Sequence, residues 1–199
     1  LTTVIFVLGV VIGFSFDTLR SRDVVNTLRE SELDEQSFLI EQEFFRTLGV
    51  YDCSFAQARL SGLSKKLGEL GFYLVNYEEK SFFKQEEYDY LLRQYMLTEI
   101  RVYSLFDDLR KTCHFNSTLI LYFFDPQDDA SQRQGRVLDV FVEKYPSVFV
   151  FAINEPYRGD LLLENVKQFY NVTLTPAIII NGEQKIDGLA SLEALESYL

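Results

Sequence analysis

The chain has few of the residues that build metal centres and thiol active sites. Its 199 residues include two cysteines, one histidine, one methionine and no tryptophan. A structural zinc site of the usual kind takes four cysteine or histidine ligands, so we expect no such site here. The apolar bulk that tryptophan and methionine do not supply comes from 18 phenylalanines and 12 tyrosines.

Basic residues are also in short supply. Lysine and arginine number 19 against 30 aspartates and glutamates, which gives a net charge of −11. Because so acidic a body repels phosphate backbones, we expect no nucleic-acid partner. Hydrophobic residues make up 47% of the chain and charged residues 25%, a composition that excludes a disordered or collagen-like protein.

Charge is absent from residues 1–16, which read LTTVIFVLGVVIGFSF. A membrane-spanning helix needs roughly 20 apolar residues. Because the chain begins at Leu1 rather than Met, we expect residues upstream and predict the truncated end of a single transmembrane helix. The membrane is then a partner. A signal peptide is the first alternative, although no small-x-small cleavage site follows, and a buried core strand or helix is the second.

Residues 17–52 are strongly polar, with a charged run from Arg29 to Glu35. Apolar residues then recur at roughly helical spacing, and they are Leu33, Ile40, Phe44 and Leu48. We predict a juxtamembrane helical segment over this range. Acidic and basic residues balance on this flank of residues 1–16, so charge does not set the orientation in the membrane.

Residues 53–115 carry the most regular pattern. Two apolar runs with alternating steps of three and four predict two helices that share a seam, and Glu99 is the only polar residue in either run. Because a short segment joins the runs, we predict an antiparallel coiled-coil helical hairpin. The runs are Ala56, Leu60, Leu63, Leu67, Leu70, Leu74 and Tyr77, then Tyr88, Leu92, Tyr95, Glu99, Val102, Phe106 and Leu109.

Each cysteine continues one of these two runs at the open end of the hairpin. Cys53 lies three residues before Ala56, and Cys113 lies four residues after Leu109. An antiparallel hairpin places both thiols in one layer, so we predict a buried Cys53–Cys113 disulfide and an oxidising compartment outside the cytoplasm. The alternative is a pair of reduced cysteines that act as small hydrophobic residues.

Residues 116–199 have the alternating strand and helix patterns of an α/β module. Continuous apolar runs at 118–124, 148–153 and 177–180 predict buried strands, and helical patterns lie between them. Asn181-Gly182 predicts a two-residue hairpin turn before a short strand at 185–187, and residues 189–199 close as a helix. The predicted order is β-α-β-α-β-β-α, with the first two strands parallel.

This order, with a Thr-Pro step before the third strand, resembles the thioredoxin fold. The matching residues are YNVTLTPAIIING at 170–182, followed by Asp187-Gly188. The resemblance covers under half of the chain and implies that Pro176 is a cis-proline facing the redox site. It also implies a groove beside Thr175 and Pro176 in which the backbone pairs with an extended polypeptide. The fold class is thus α/β, with a hairpin and a transmembrane helix before the module.

The redox motif of the resembled family is missing. Thioredoxin-like enzymes carry Cys-x-x-Cys between the first strand and the first helix, where the helix N-terminus stabilises a thiolate. Here the best-fitting positions are Asp128 and Ser131, and neither side chain exchanges thiols. We therefore expect the module to be redox-inactive at the usual site.

No other group of residues predicts an enzyme. Asp125, Asp128 and Asp129 match no calcium loop and are better explained by helix capping, so we expect neither a metal nor a cofactor. His114 beside Cys113 points elsewhere on its helix, and no base lies near Ser131 in the sequence.

Two glycosylation sequons begin at Asn116 and Asn171. They lend weak support to export, and the buried strand that follows Asn116 predicts poor access to it.

The sequence therefore favours a membrane-anchored, extracytoplasmic thioredoxin-like protein that binds or scaffolds polypeptides, as the resemblance implies for non-catalytic members. A protein or peptide partner is expected. One alternative is a thiol–disulfide oxidoreductase or redox relay that uses Cys53 and Cys113. The other is a structural subunit of a membrane assembly, docked through the hairpin.

Overall fold

The computed structural model describes residues 53–78 and 85–199, together with isolated helical positions between residues 33 and 44. The predicted transmembrane helix at 1–16 and most of the predicted juxtamembrane segment lie outside the described residues. Among the helices that are described, none combines the length and the apolar character needed to cross a bilayer. The chain divides into two compact units, 1–51 and 52–199.

Two long helices precede a mixed α/β unit with one four-stranded sheet. The elements are α1 (Cys53–Glu78), α2 (Gln85–Thr112), β1 (Thr118–Phe124), α3 (Asp129–Lys144), β2 (Val148–Asn154), α4 (Leu161–Phe169), β3 (Ala177–Ile180), β4 (Gln184–Asp187) and α5 (Leu192–Glu196). The predicted order β-α-β-α-β-β-α is therefore observed from β1 onwards.

The last helix is shorter than the sequence suggested. We expected a helix over residues 189–199, whereas α5 covers only Leu192–Glu196. Its start is fixed by Ser191, whose side chain accepts a hydrogen bond from the backbone N–H of Ala194. Ser191 itself has extended dihedrals, with φ −75° and ψ 164°, so the helix begins after it.

The helices α1 and α2 pack against each other in an antiparallel sense. Cys53 at the start of α1 bonds to Cys113, just beyond the end of α2. Further along α1, a Cβ on Gly71 would lie 3.4 Å from the ring of Tyr95, which is nearer the start of α2. A later residue of α1 thus contacts an earlier residue of α2, which is the arrangement of an antiparallel pair, as the two apolar runs predicted.

The four strands form one mixed sheet in the order β2-β1-β3-β4. Strand β1 pairs in parallel with β2 and antiparallel with β3, and β3 pairs antiparallel with β4. Because Ile180 pairs with Gln184, the β3–β4 loop has three residues, 181–183, and the two-residue hairpin predicted from Asn181-Gly182 is one residue too short. Asn181 and Gly182 still make the turn itself, with φ values of 53° and 76°.

Helices cover both faces of the sheet. On one face, Ile120 and Tyr122 of β1 form a buried cluster with Leu138 and Phe141 of α3 and with Leu195 of α5. The continuous apolar strands seen in the sequence follow from this double burial, because neither side chain face meets water.

The second face is covered by α2, which packs against β1 and β2. The Phe106 ring lies 4.3 Å from the Phe149 ring, and the Tyr103 ring lies 5.6 Å from the Phe151 ring in an edge-to-face arrangement. The sequence placed Phe106 only in the seam between the two helices. In the structure α2 therefore belongs to the core of the sheet as well as to the hairpin.

Candidate functional site

The loop after β1 carries the residues that stand where the redox motif would lie. Asp128 has extended backbone dihedrals and is the N-cap of α3. Its carboxylate accepts hydrogen bonds from the backbone N–H of Ala130 at 3.2 Å and of Ser131 at 2.8 Å. These bonds hold the pKa of the Asp128 carboxyl below its usual range. The capping role that the sequence predicted for the acidic residues is therefore observed at Asp128.

Ser131 is held from several sides and is only 1% exposed. Its hydroxyl donates to Asp128 Oδ2 at 2.8 Å and lies 3.2 Å from the backbone nitrogen of Asp125, which donates to it. Its carbonyl accepts a hydrogen bond from the Tyr122 hydroxyl. Burial raises the pKa of that Tyr122 hydroxyl to about 12. The two positions are thus joined in a hydrogen-bonded cap that contains no thiol.

Pro176 lies at the same end of the sheet. The peptide bond between Thr175 and Pro176 is cis. Because Phe123 pairs with Ala177, Pro176 lies opposite Phe124, the last residue of β1, from which the chain leads into the Asp128 cap. The structure therefore brings the Thr175–Pro176 step and the Asp128–Ser131 cap to the same end of the sheet.

The surface beside this step is partly apolar and has free backbone groups. Leu174 is 63% exposed, and Thr175 is half-buried. The Pro176 carbonyl accepts from the Gly188 N–H at 2.8 Å, which ties it to β4. Within residues 53–78 and 85–199, no hydrogen bond engages the Thr175 backbone. An extended chain laid across this step would find both an unused peptide unit and an apolar side chain.

The disulfide lies at the opposite end of the sheet. The sulfur atoms of Cys53 and Cys113 are 2.03 Å apart, with 5.9 Å between their Cα atoms, and the predicted pairing is therefore confirmed. Cys113 precedes Thr118, the first residue of β1, whereas Asp128 follows the last. Both cysteines are half-buried, so the expectation of a fully buried bond is wrong. Both cysteines lie at the ends of the two helices, and no further turn of either helix follows to cover the sulfur atoms.

The residues around the cysteine pair and the sequons are mostly at the surface. His114 is exposed, with a φ of 54° at the end of α2, as a residue that terminates a helix. Asn116 is exposed, contrary to the expectation that the following strand would bury it, because the burial begins at Ser117. Asn171 is also exposed. Neither observation shows that a sequon carries a glycan.

A buried ionic cluster near the loop after β2 was missed by the sequence analysis. Asp160 caps α4 through the Leu162 N–H at 2.8 Å, and its other oxygen lies 2.7 Å from Arg93 of α2. Lys167 is 5% exposed and donates to the carbonyls of Glu155 and Tyr157, each at 2.9 Å. These contacts fix the loop and tie it to the hairpin. The Arg93–Asp160 pair was hidden from the sequence analysis because its members are 67 residues apart.

The described part of the chain contains no group of three or more histidine, cysteine or acidic side chains placed to hold a metal ion. Asp125 uses its carboxylate to accept the Gln127 N–H at 2.8 Å, and Asp128 is committed to the cap.

No family model and no curated protein matches this chain. Among solved structures it is similar to thioredoxin-2 of a malaria parasite, at 21% identity over 41% of this chain and 80% of that one, with a TM-score of 0.36. It is also similar to thioredoxin O2 of Arabidopsis thaliana, at 21% identity over 48% and 84%, with a TM-score of 0.36. A malarial protein matches at 19% identity over 42% and 93%, again with a TM-score of 0.36.

These structural neighbours are thioredoxin-like folds, and they match the carboxyl-terminal part of the chain. At such identities the likeness concerns the fold alone. The chemistry of this chain has to be argued from its own residues.

Proposed function

We propose that this chain is a non-catalytic thioredoxin-like module that binds extended polypeptide segments beside Thr175 and Pro176. We further propose that residues 1–16 anchor it in a membrane, with the module outside the cytoplasm. The binding proposal rests on two features that lie at the same end of the sheet. One is the Asp128–Ser131 cap, which contains no thiol, and the other is the Thr175 backbone, which makes no hydrogen bond to any described residue.

The residues at this end of the sheet favour binding over catalysis. A thiol exchange needs a thiolate at the start of α3, and the helix start is instead occupied by the Asp128 carboxylate and the Ser131 hydroxyl. An extended segment needs only backbone partners and an apolar contact, which Thr175 and Leu174 offer.

The proposed location has two independent supports. The uncharged run at residues 1–16 is close to the length of a membrane helix. A Cys53–Cys113 disulfide persists in oxidising compartments and is rare in the cytosol.

Binding is tested with a permanently unfolded probe, reduced and carboxymethylated lactalbumin, by fluorescence anisotropy. We expect Leu174→Asp to weaken binding at least tenfold, because a carboxylate replaces the exposed apolar contact beside Thr175. Val140→Asp is the matched control, since Val140 is 50% exposed on α3, and it should bind as the unmodified chain does. No binding by the unmodified chain, or equal binding by both variants, would overturn the proposal.

The redox-relay alternative has one observation in its favour, the partial exposure of both cysteines. A relay requires the Cys53–Cys113 bond to be reduced and reformed while the chain stays folded. Titration of thiols with a mild reductant, with and without denaturant, separates the two functions. Reduction that occurs readily without denaturant would favour the relay, and reduction that requires unfolding would favour a structural bond.

A further inference from the structure

The strand β2 forms an open edge of the sheet. It pairs with β1 on one side, and no described strand pairs with its other side. A groove of about 650 Å³ runs along this open side. One wall comes from α1 and α2, through residues such as Leu67 and Val102, and the other from α3, through residues such as Leu138 and Val142.

Hydrogen bonds at the two ends of β2 show which backbone groups face the groove. The Ser147 carbonyl accepts from the Thr118 N–H at 2.9 Å, and the Glu155 N–H donates to the Phe124 carbonyl at 2.8 Å. Both residues are odd-numbered and bond towards β1. Because alternate residues of a strand present their backbone groups to opposite sides, Val150 and Ala152 present theirs to the groove.

A buried carboxylate lies close to one of these groups. Glu99 of α2 is 3% exposed, and the nearby Ala152 backbone and Tyr95 hydroxyl lower the pKa of its carboxyl, against the effect of burial. Its Oε2 atom is buried and has no hydrogen-bond partner in the described part of the chain. An acceptor of this kind, lining a groove, is suited to a donor that arrives from outside.

The charge of the groove is of one sign. Asp139 and Glu143 lie on the α3 wall, opposite Glu99, and among the described residues that line the groove there is no lysine or arginine. The remaining lining is mainly aliphatic and aromatic. The complementary ligand therefore combines apolar side chains with a positive charge.

We propose that this groove binds an extended peptide segment that adds a strand to β2. Its backbone pairs with the free N–H and carbonyl of Val150. Side chains of the added strand alternate between the walls, so that apolar ones contact Leu138 and Val142 while a lysine or arginine reaches Glu99. The cation donates to Oε2, and the acidic groove selects it over a neutral or acidic residue.

This site is separate from the Thr175–Pro176 groove. In the order β2-β1-β3-β4, the open edge of β2 lies on the far side of β1 from β3, which follows Pro176. The two sites are told apart by repeating the lactalbumin titration with Val150→Pro, which loses the pairing at β2 and keeps the contact at Leu174. Loss of binding at one groove leaves the backbone groups of the other unchanged.

The probe is the fluorescently labelled peptide acetyl-TVKVTV-amide, which places valines on one face and lysine between threonines on the other. Its counterpart acetyl-TVEVTV-amide differs only in the charge of the central side chain. We expect the lysine peptide to bind the unmodified chain at least tenfold more tightly than the glutamate peptide, and Glu99→Gln to remove most of that difference. Both are measured by anisotropy titration at about pH 8.5, because burial raises the pKa of the Glu99 carboxyl to about 7 and the carboxylate must be ionised to attract lysine.

Val150→Pro tests the backbone pairing. Proline at this position removes the N–H that faces the groove and no bond to β1, while Val150→Ala removes the same side chain and keeps the N–H. We expect Val150→Ala to bind the lysine peptide within threefold of the unmodified chain and Val150→Pro to bind at least tenfold more weakly. Circular dichroism confirms that each variant is folded.

Several outcomes would overturn this proposal. They are equal binding of the lysine and glutamate peptides, equal binding by the two Val150 variants, and no binding of either peptide to the unmodified chain. A concentration-dependent dimer that excludes the lysine peptide, seen by analytical ultracentrifugation, would also overturn it in favour of a second copy of the chain at the edge. The peptide comparison needs no variant, so a misfolded Val150→Pro protein leaves the proposal testable.

Discussion

At the scale of a single residue, Glu99 is the most unusual side chain of the described core. It is 3% exposed on a helix that packs against the sheet. Burial raises the pKa of its carboxyl from the ordinary 4.5 to about 7, although hydrogen bonds from Tyr95 and from the Ala152 backbone oppose the rise. The raised pKa means that the folded chain keeps a proton on Glu99 which the unfolded chain has already released.

This difference makes stability depend on pH. The folded state binds more protons than the unfolded state between pH 4.5 and about 7, so the free energy of unfolding falls as the pH rises through that window. The loss is about 3 kcal/mol at pH 8, from 1.36 kcal/mol per pKa unit. We expect Glu99→Gln, which does not titrate, to gain about this much relative to the unmodified chain between pH 4.5 and pH 8, measured by urea unfolding.

The control for this prediction is Glu143→Gln, which removes the same charge from the exposed wall of the groove. Its stability should follow the profile of the unmodified chain, because an exposed carboxylate keeps its hydration when the chain folds. A stability difference between Glu99→Gln and the unmodified chain that stays constant with pH would contradict the account of Glu99.

At the scale of elements, α2 explains what the sequence could and could not predict. Its apolar run predicted a partner helix, and α1 is that partner. Four further hydrophobic residues of α2 are buried although they lie outside the run, and they are Leu91, Met96, Tyr103 and Leu105. A helix buried on two sides has a wide apolar surface, and a search for one heptad seam selects only part of it.

The functional residues likewise divide into those that the sequence could predict and those that it could not. The cap at Asp128 was predictable, because an acidic residue after a buried strand and before a helix is a local signal. The environment of Glu99 was not, since Ala152 is far away in sequence and meets it only through the packing of α2 on the sheet. The sequence marked Glu99 solely as a polar exception in an apolar run.

The disulfide is the covalent link between the ends of α1 and α2. It joins residues separated by 60 positions, so its loss frees a long loop in the unfolded chain. The chain-entropy estimate for a loop of this length is about 4 kcal/mol. We expect the double variant Cys53→Ser/Cys113→Ser to lose stability by about this amount, measured by guanidinium unfolding under oxidising conditions.

Reductant provides the control for the disulfide. It should lower the stability of the unmodified chain by the same amount and leave that of the double variant unchanged. If reductant has no effect on the unmodified chain, the bond contributes nothing to stability, and the entropy argument for the hairpin is wrong.

At the scale of the whole molecule, the hairpin and the sheet depend on each other. The side of the sheet that carries Phe149 and Phe151 is covered by Phe106 and Tyr103 of α2. The ion pair between Arg93 and Asp160 adds a second link. Cutting the chain at residue 116 would remove all of these contacts while keeping every strand.

We therefore expect a fragment of residues 116–199 not to fold cooperatively, while residues 53–199 do. Burying one phenylalanine contributes on the order of 1.5–3 kcal/mol, and a domain is stable by only about 5–15 kcal/mol. Exposing the rings of Phe149 and Phe151 would therefore remove a large part of the free energy of unfolding. Thermal unfolding followed by near-ultraviolet circular dichroism compares the two fragments. A sharp transition in the shorter one would show that α3 and α5 suffice to hold the sheet, and that α2 covers a module already stable without it.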